Sequence, residues 1–196
     1  MKKCVVGIDE VGRGPLAGPV AVGVVVVPEG FDWSLLPGVT DSKQLTAEKR
    51  EEIYKAARRL KAAGQLDYAV SMVSASVIDK KGIVTAINLA MSRSLKKLTV
   101  GDSCLLKLDG GLKAPANFQD QKTIIKGDAK VKEIGLASIV AKVERDRYMV
   151  RKSAPPIYAP YKWHENKGYG TKVHRKAIRK QGLTELHRVT FCRNII

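Results

Sequence analysis

Residues 4–27 read CVVGIDEVGRGPLAGPVAVGVVVV. Residues 4–8 are a short apolar run, and residues 21–27 are almost wholly apolar and β-branched. Runs this short and this apolar predict strands covered on both faces. Between them, Gly12, Gly14, Pro15, Gly18 and Pro19 predict a turn or a disrupted strand end. Two adjacent acids, Asp9 and Glu10, stand where the first strand runs out, and Arg13 follows between two glycines.

Working outward, Thr46 is placed to cap a helix over residues 47–63, with Ile53, Ala56, Ala57 and Leu60 as its apolar stripe and Gly64 as its stop. Residues 66–73 predict a third strand. Ser76 and Asp79 resemble a capping box that opens a helical region reaching about residue 98, interrupted at Gly82. Residues 105–108 and 123–125 are two more short strands, the first ending at Asp109 and the second at Lys126-Gly127-Asp128. A long helix is predicted over about residues 131–151, with Ile139, Val143 and Val150 facing inward, ended by Pro155, Pro156 and Pro160. Thr171 caps a last helix that Gly182 stops. Strands first, then helices alternating with strands, argue a mixed sheet flanked by helices.

The chain has 196 residues, 44% of them hydrophobic, and is expected to form a single domain over residues 1–196. Its charge stands out: 35 Lys and Arg against 19 Asp and Glu give a net +16. Such an excess attracts polyanions, with nucleic acid the leading partner. An anionic membrane surface is the rival, but no basic amphipathic helix with bulky aromatics stands out. Cys4, Cys104 and Cys192 are odd in number and far apart, so neither a disulfide framework nor a zinc site is expected, and a reducing compartment fits. The longest apolar run, residues 20–28, is too short to span a bilayer. The first apolar run ends at Asp9, which excludes a signal peptide and leads us to expect a cytoplasmic protein.

Asp9 with Glu10, Asp109 and Asp128 each follow a short apolar strand. Ends of neighbouring strands in an α/β sheet lie close together, and ligands collect there. Converging carboxylates repel each other unless cations share the site. Oxygen ligands without His or Cys favour Mg²⁺ or Mn²⁺. Each acid alone has a plainer reading: Asp128 as a helix cap, Asp109 as a turn residue. In a basic chain, gathered acids suggest two divalent ions acting on a phosphodiester.

The chain also resembles ribonuclease HII, the type 2 ribonuclease H of bacteria. The resemblance rests on GIDEVGRGPLAGPV (7–20), TDSKQL (40–45), LDGG (108–111), KGD (126–128), ASIVAKVERD (137–146), NKGYGT (166–171) and HRVTF (187–191), seven blocks in register. It implies a ribonuclease H-like fold, a five-stranded mixed sheet flanked by helices with a C-terminal helical part. It implies an endoribonuclease that hydrolyses RNA in RNA–DNA hybrids and cuts 5′ of single ribonucleotides embedded in duplex DNA, leaving 5′-phosphate and 3′-hydroxyl ends. That is the activity of ribonucleotide excision repair. The metal-site acids it implies are Asp9, Glu10, Asp109 and Asp128, with Asp9 between two Mn²⁺ or Mg²⁺ ions.

By the same resemblance Gly12, Arg13 and Gly14 read the 2′-hydroxyl through their backbone, which glycine brings close to a sugar. Tyr169 stacks on the neighbouring deoxyribose; its plainer reading is a packed surface aromatic. Ser42, Lys43, Lys142 and Arg145 are candidate phosphate contacts; Arg13 reads as either a phosphate contact or a salt bridge to an acid, and phosphate is favoured. Lys142 and Arg145 share a helix face, for which a solvated face is the alternative. Asp146 reads as structural, paired with a basic neighbour. His174 and His187 are not needed as general bases, and His187 is expected to pack near the C-terminus or touch backbone. Leu136 stands where the family usually has alanine, and CRNII follows HRVTF where the family often has proline. A monomer is expected, with no sliding-clamp motif and no N-terminal substrate-binding domain, which weighs against ribonuclease HIII. Two alternatives stand beside this: a catalytically silent nucleic-acid-binding module, and another nuclease of the same fold, which the GRG and GYGT blocks weigh against.

Overall fold

The computed structural model describes residues 4–101 and 103–196. Five strands, β1 (Cys4–Val11), β2 (Val20–Pro28), β3 (Asp67–Val73), β4 (Leu105–Asp109) and β5 (Gln121–Ile124), form one sheet in the order β3-β2-β1-β4-β5. β1, β2 and β3 are antiparallel neighbours, whereas β4 lies parallel to β1 and β5 parallel to β4. The sheet is therefore mixed, as the order of elements predicted.

Helices cover both faces: α1 (Ala47–Ala62), α2 (Ala75–Lys81), α3 (Ile83–Lys97), α4 (Gly127–Lys130) and α5 (Lys132–Lys152). Val6, Ile8, Val22, Val24, Leu106 and Leu108 pack with Ala86, Ala90 and Met91 of α3. On the other face, Leu136, Ile139 and Val140 of α5 pack with Val25, Val27, and Ile53 and Ala57 of α1. Leu136 is fully buried in that layer, which absorbs its volume.

Two strand glycines let α5 lie directly on the sheet. A Cβ on Gly7 would stand 2.1 Å from the Glu133 carbonyl carbon, and one on Gly23 would stand 2.3 Å from the Ala137 oxygen. Side chains two apart in a strand share a face, so Asp9 is pressed against α5 as Gly7 is. β1 runs past its expected end, through Asp9 and Glu10 to Val11, because antiparallel pairing continues at Asp9↔Gly23, Glu10↔Val22 and Val11↔Ala21. Its parallel pairing ends at Ile8↔Leu108. Both acids thus lie just beyond the last parallel partner, beside the end of β4.

Several local expectations change. The long helix stands as one piece, α5, starting one residue later than expected because Val131 is extended (φ −128°, ψ 115°) and caps it; the short α4 before it was not expected. Val150 is 43% exposed; Met149, one position round the helix, takes the buried place. Ser76 and Asp79 form no capping box: α2 starts at Ala75, and Asp79 instead accepts from the backbone N–H groups of Val189 (2.8 Å) and Thr190 (3.0 Å). β5 starts two residues before its expected position and ends one before. Cys4 and Cys104 form a disulfide, contrary to expectation. Parallel pairing of β1 with β4 brings residues 100 apart in sequence to a Cα separation of 4.8 Å.

The C-terminal part is helical, with a 3-10 segment (Pro156–Tyr161), α6 (Trp163–Asn166), α7 (Lys172–Gln181) and α8 (Val189–Cys192). Its own core gathers Leu16, Ala17, Met149, Tyr161, Trp163, Ile178 and Cys192. An isolated bridge joins Ala17 to His187 and fastens this part to the turn after β1. Among the described residues no helix is long and apolar enough to cross a membrane.

Candidate active site

Asp9 is only 5% exposed. Its Oδ1 accepts the Glu10 backbone N–H at 2.7 Å, and the Ser138 hydroxyl of α5 stands on its helix side. Burial pushes its carboxyl up to about 8; the Ser138 hydroxyl opposes that, and the charges of Glu10 and Asp109 add to it. Glu10, on the opposite face of the strand, is partly exposed and bonded by Arg13 at 3.1 Å. Burial raises its carboxyl too, against the pull of Arg13. The two adjacent acids are thus unequal, as strand alternation predicts.

Asp109 ends β4, and its Oδ1 accepts the Gly127 N–H at 2.7 Å. The left-handed turn at Lys126 (φ 54°) and the bare Gly127 make that approach possible, since a Cβ on Gly127 would stand 3.3 Å from the same oxygen. The turn delivers Asp128, which is buried, with its carboxyl raised by burial and then by Asp109 and Asp41. The ammonium of Lys43 lies 3.9 Å from Asp128. Its own burial is outweighed by Asp128, Asp41, Asp9 and Asp109, which together raise its pKa.

The structure therefore gathers the four predicted acids into one electrostatic neighbourhood at the end of β1 and β4. Among the described residues no three His, Cys, Asp or Glu side chains already surround one point as a ready metal cage. Asp109 bonds the Gly127 N–H and Glu10 pairs with Arg13. The donor set nevertheless fits a hard divalent cation, being all oxygen. A carboxylate pushed up to about 8 by burial, with acidic neighbours adding to the rise, is also what added positive charge would relieve.

Beside the acids, the loop after β1 is held by two fully buried arginines. Arg188 donates to the carbonyls of Gly12 (2.6 Å), Arg13 (2.9 Å) and Gly18 (3.0 Å). Arg145 donates to Pro19 (2.9 Å), Lys167 (3.1 Å) and Ala17 (3.3 Å). Among the described residues neither forms an ion pair with a carboxylate. Burial and the charge of Arg145 bring Arg188 down to about 9. Gly12 is obligatory here: its φ is +88°, and a Cβ would stand 2.1 Å from Arg145 Nε.

Two expected substrate contacts, Arg145 and Ser42, change role. Arg145 is no phosphate contact, because its guanidinium is sealed under the loop and occupied by carbonyls. Ser42 is buried, and its hydroxyl meets Ser138 at 2.8 Å, linking the TDSKQL loop to the serine beside Asp9. Arg13 pairs with Glu10 rather than standing free. Lys43 is exposed at the mouth of the site. Lys142 is largely buried, bonded to Asp146 at 2.9 Å, which fits the structural reading of that acid; burial lowers the lysine's pKa. Tyr169 is 42% exposed, with the Lys142 ammonium 5.7 Å and the Arg145 guanidinium 5.9 Å from its ring centre. Ser138 and Arg188 were missed as site residues, though both lie inside quoted blocks, ASIVAKVERD and HRVTF.

A mixed five-stranded sheet in this order, with helices on both faces, is a ribonuclease H-like fold. The ribonuclease H2 of Pyrococcus horikoshii OT3 superposes with a TM-score of 0.64 at 28% identity, covering 98% of this chain and 96% of that one. The ribonuclease HII from Archaeoglobus fulgidus, solved in complex with PCNA, gives 0.73 at 24% identity over 96% and 94%. A ribonuclease HIII solved with Mn²⁺ gives 0.67 at 18% identity, over 96% of this chain and 67% of that one. In sequence, the ribonuclease HII of Endomicrobium trichonymphae is 43% identical over 95% of this chain and 84% of its own length. That of Fusobacterium nucleatum is 42% identical over 99% and 88%. The ribonuclease HII family model matches residues 6–194. The chain belongs to the ribonuclease HII family and is a hydrolytic endoribonuclease acting on nucleic acid.

Proposed function

We propose that residues 1–196 form one catalytic domain that cuts RNA in RNA–DNA hybrids and cuts 5′ of single ribonucleotides in duplex DNA. The observation that carries the site assignment is Asp9, a buried carboxylate raised to about 8 with Glu10 and Asp109 acting on it, in a chain of net charge +16. Asp9, Glu10, Asp109 and Asp128 would hold two divalent ions, Mg²⁺ or Mn²⁺. The Mn²⁺ in the ribonuclease HIII neighbour supports a divalent requirement. When bound, such ions supply an activated water on one side of the phosphorus and charge stabilisation for the departing 3′-oxygen on the other.

The chain's own residues do the rest. Ser138 holds Asp9 in one orientation against α5. Lys43, exposed and drawn toward Asp128, is placed to bind the phosphate beside the cut. The peptide groups of Gly12, Arg13 and Gly14, fixed from behind by Arg188, are placed to test the sugar for a 2′-hydroxyl. Tyr169 is placed to stack on the neighbouring deoxyribose. Arg13 shields the Glu10 carboxylate until substrate and ions enter.

The test is a DNA duplex with one embedded ribonucleotide, incubated with Mg²⁺ or Mn²⁺ and resolved on a denaturing gel. Cleavage 5′ to the ribose is expected, and Asp9→Asn should abolish it while leaving binding. Binding without cleavage with either ion would favour the silent-module reading. Cleavage of an all-DNA control at equal rate would favour another nuclease activity of the fold.

A further inference from the structure

The catalytic reading leaves unused a pair of histidines buried behind Tyr169. His174 and His187 are at most 2% exposed, and their Nε2 atoms lie 3.1 Å apart. His187 Nδ1 accepts the Thr184 backbone N–H at 2.9 Å. A backbone N–H only donates, so the proton of a neutral His187 sits on Nε2 and points at His174. The indole N–H of Trp163, also only a donor, points at the same His174 Nε2 at 3.1 Å. His174 must therefore carry its proton on Nδ1, which meets the Tyr169 carbonyl oxygen at 2.9 Å. An obligate donor at one end and an obligate acceptor at the other leave one arrangement of protons.

A second proton on His174 would face two N–H groups, and one on His187 Nδ1 would face the Thr184 N–H, with the Thr184 hydroxyl, also at 2.9 Å, as the group that could accept it. Burial lowers both pKa values, His187 to about 4, where the nearby His174 adds to the effect and Glu185 opposes it. Tyr161 packs on His187 with ring centres 4.9 Å apart, closing the cage with an apolar wall. His187 is followed in the chain by Arg188, which clamps Gly12 and Arg13. Gly168, preceding Tyr169, accepts the N–H groups of Leu16 (2.9 Å) and Ala17 (3.2 Å) from the same loop.

We propose that His174 and His187 are positioning residues, a neutral relay that fixes the backbone of Tyr169 relative to the ribose-reading loop and so sets the distance at which sugar and neighbouring deoxyribose are read together. The proposal rests on Tyr169 reading the RNA–DNA junction. It predicts which replacements work. The side-chain amide of Asn can reproduce the Nδ1 donor to Tyr169, whereas Leu removes it.

The experiment measures kcat and KM for His174→Asn, His174→Leu and Tyr169→Ala on two substrates: duplex DNA with one ribonucleotide, and a uniform RNA–DNA hybrid. The preference is the ratio of kcat/KM between them. Expected is a fall of at least tenfold in this preference for His174→Leu, carried by the embedded-ribonucleotide substrate, with hybrid kcat within threefold of the unsubstituted chain. His174→Asn should restore the preference to within threefold. If Tyr169→Ala keeps the preference, the assignment of Tyr169 fails and the relay with it. If Tyr169→Ala loses it while His174→Leu keeps it, the relay alone is overturned. Equal losses on both substrates for Leu and Asn would reduce the pair to fold maintenance and overturn it too. Imidazole nitrogen NMR of the unsubstituted protein needs no variant: it should show His174 protonated on Nδ1 and His187 on Nε2 at pH 7, and any other tautomer pair overturns the relay.

Discussion

Replacing Asp9 by asparagine should stabilise the metal-free protein, by an amount that depends on pH. In the fold the Asp9 carboxyl is raised from 3.8 to about 8. The unfolded chain therefore gives up this proton near pH 4, while the folded chain keeps it until about pH 8. Stability from this group is fully present below the lower value and is lost as pH rises through the window. The slope is about 1.4 kcal/mol per pH unit, so about 2.7 kcal/mol disappears between pH 5 and pH 7. Asparagine keeps the shape without the titration. The unfolding free energy of Asp9→Asn minus that of the unsubstituted chain should therefore widen by about 2.7 kcal/mol over those two units, or roughly 5–10 °C in Tm for a domain of this size. Urea unfolding at pH 5, 6 and 7 with a chelator present measures it, and taking the difference cancels the titration of groups common to both. A difference constant to within about 0.5 kcal/mol would refute the claim that Asp9 folds protonated. Added Mn²⁺ at pH 7 should stabilise the unsubstituted chain more than the variant, since a cation favours the ionised carboxylate.

Gly12→Ala should lower cutting of the embedded-ribonucleotide duplex at least tenfold, because its Cβ would stand 2.1 Å from Arg145 Nε at a φ of +88°; near-normal rates would show that the loop is not held as described. Ser138→Ala removes the hydroxyl that favours ionised Asp9, and should weaken Mn²⁺ affinity about tenfold by titration calorimetry; unchanged affinity would count against its orienting role. Lys43→Met should raise KM and reduce the slope of log affinity against log salt by about one; an unchanged slope would remove Lys43 from the phosphate contacts.

The elements with strong local punctuation were legible. Thr46 and Thr171 do cap helices, and Gly82 and Gly182 do end them, because capping is settled within a few residues. The end of β1 was misread because two charges look like a strand terminus, whereas pairing with β2 carries the strand through them. Arg145 shows a different limit. Lys142 and Arg145 are three apart on one helix, yet the arginine lies beneath the loop of residues 12–19, and only tertiary structure puts a loop there. The Cys4–Cys104 disulfide was hidden for the same reason, since its strands are adjacent only in space. The meeting of the four acids was inferred from strand ends and from the family pattern, and no spacing alone could have supplied it.

The clamp on the loop after β1 has a consequence for the order in which the molecule is made. Gly12 and Arg13 are held by Arg188, 176 and 175 residues further on. A ribosome that has translated through α5 has already issued all four acids and Arg145, while Arg188, the other arginine that holds the loop after β1, is still unmade. The loop can take its final form only after His187 and Arg188 emerge and pack back on the turn after β1. The loop after β1 is thus completed after the strands that carry the four acids are made, and its folding step is among the most non-local in the molecule.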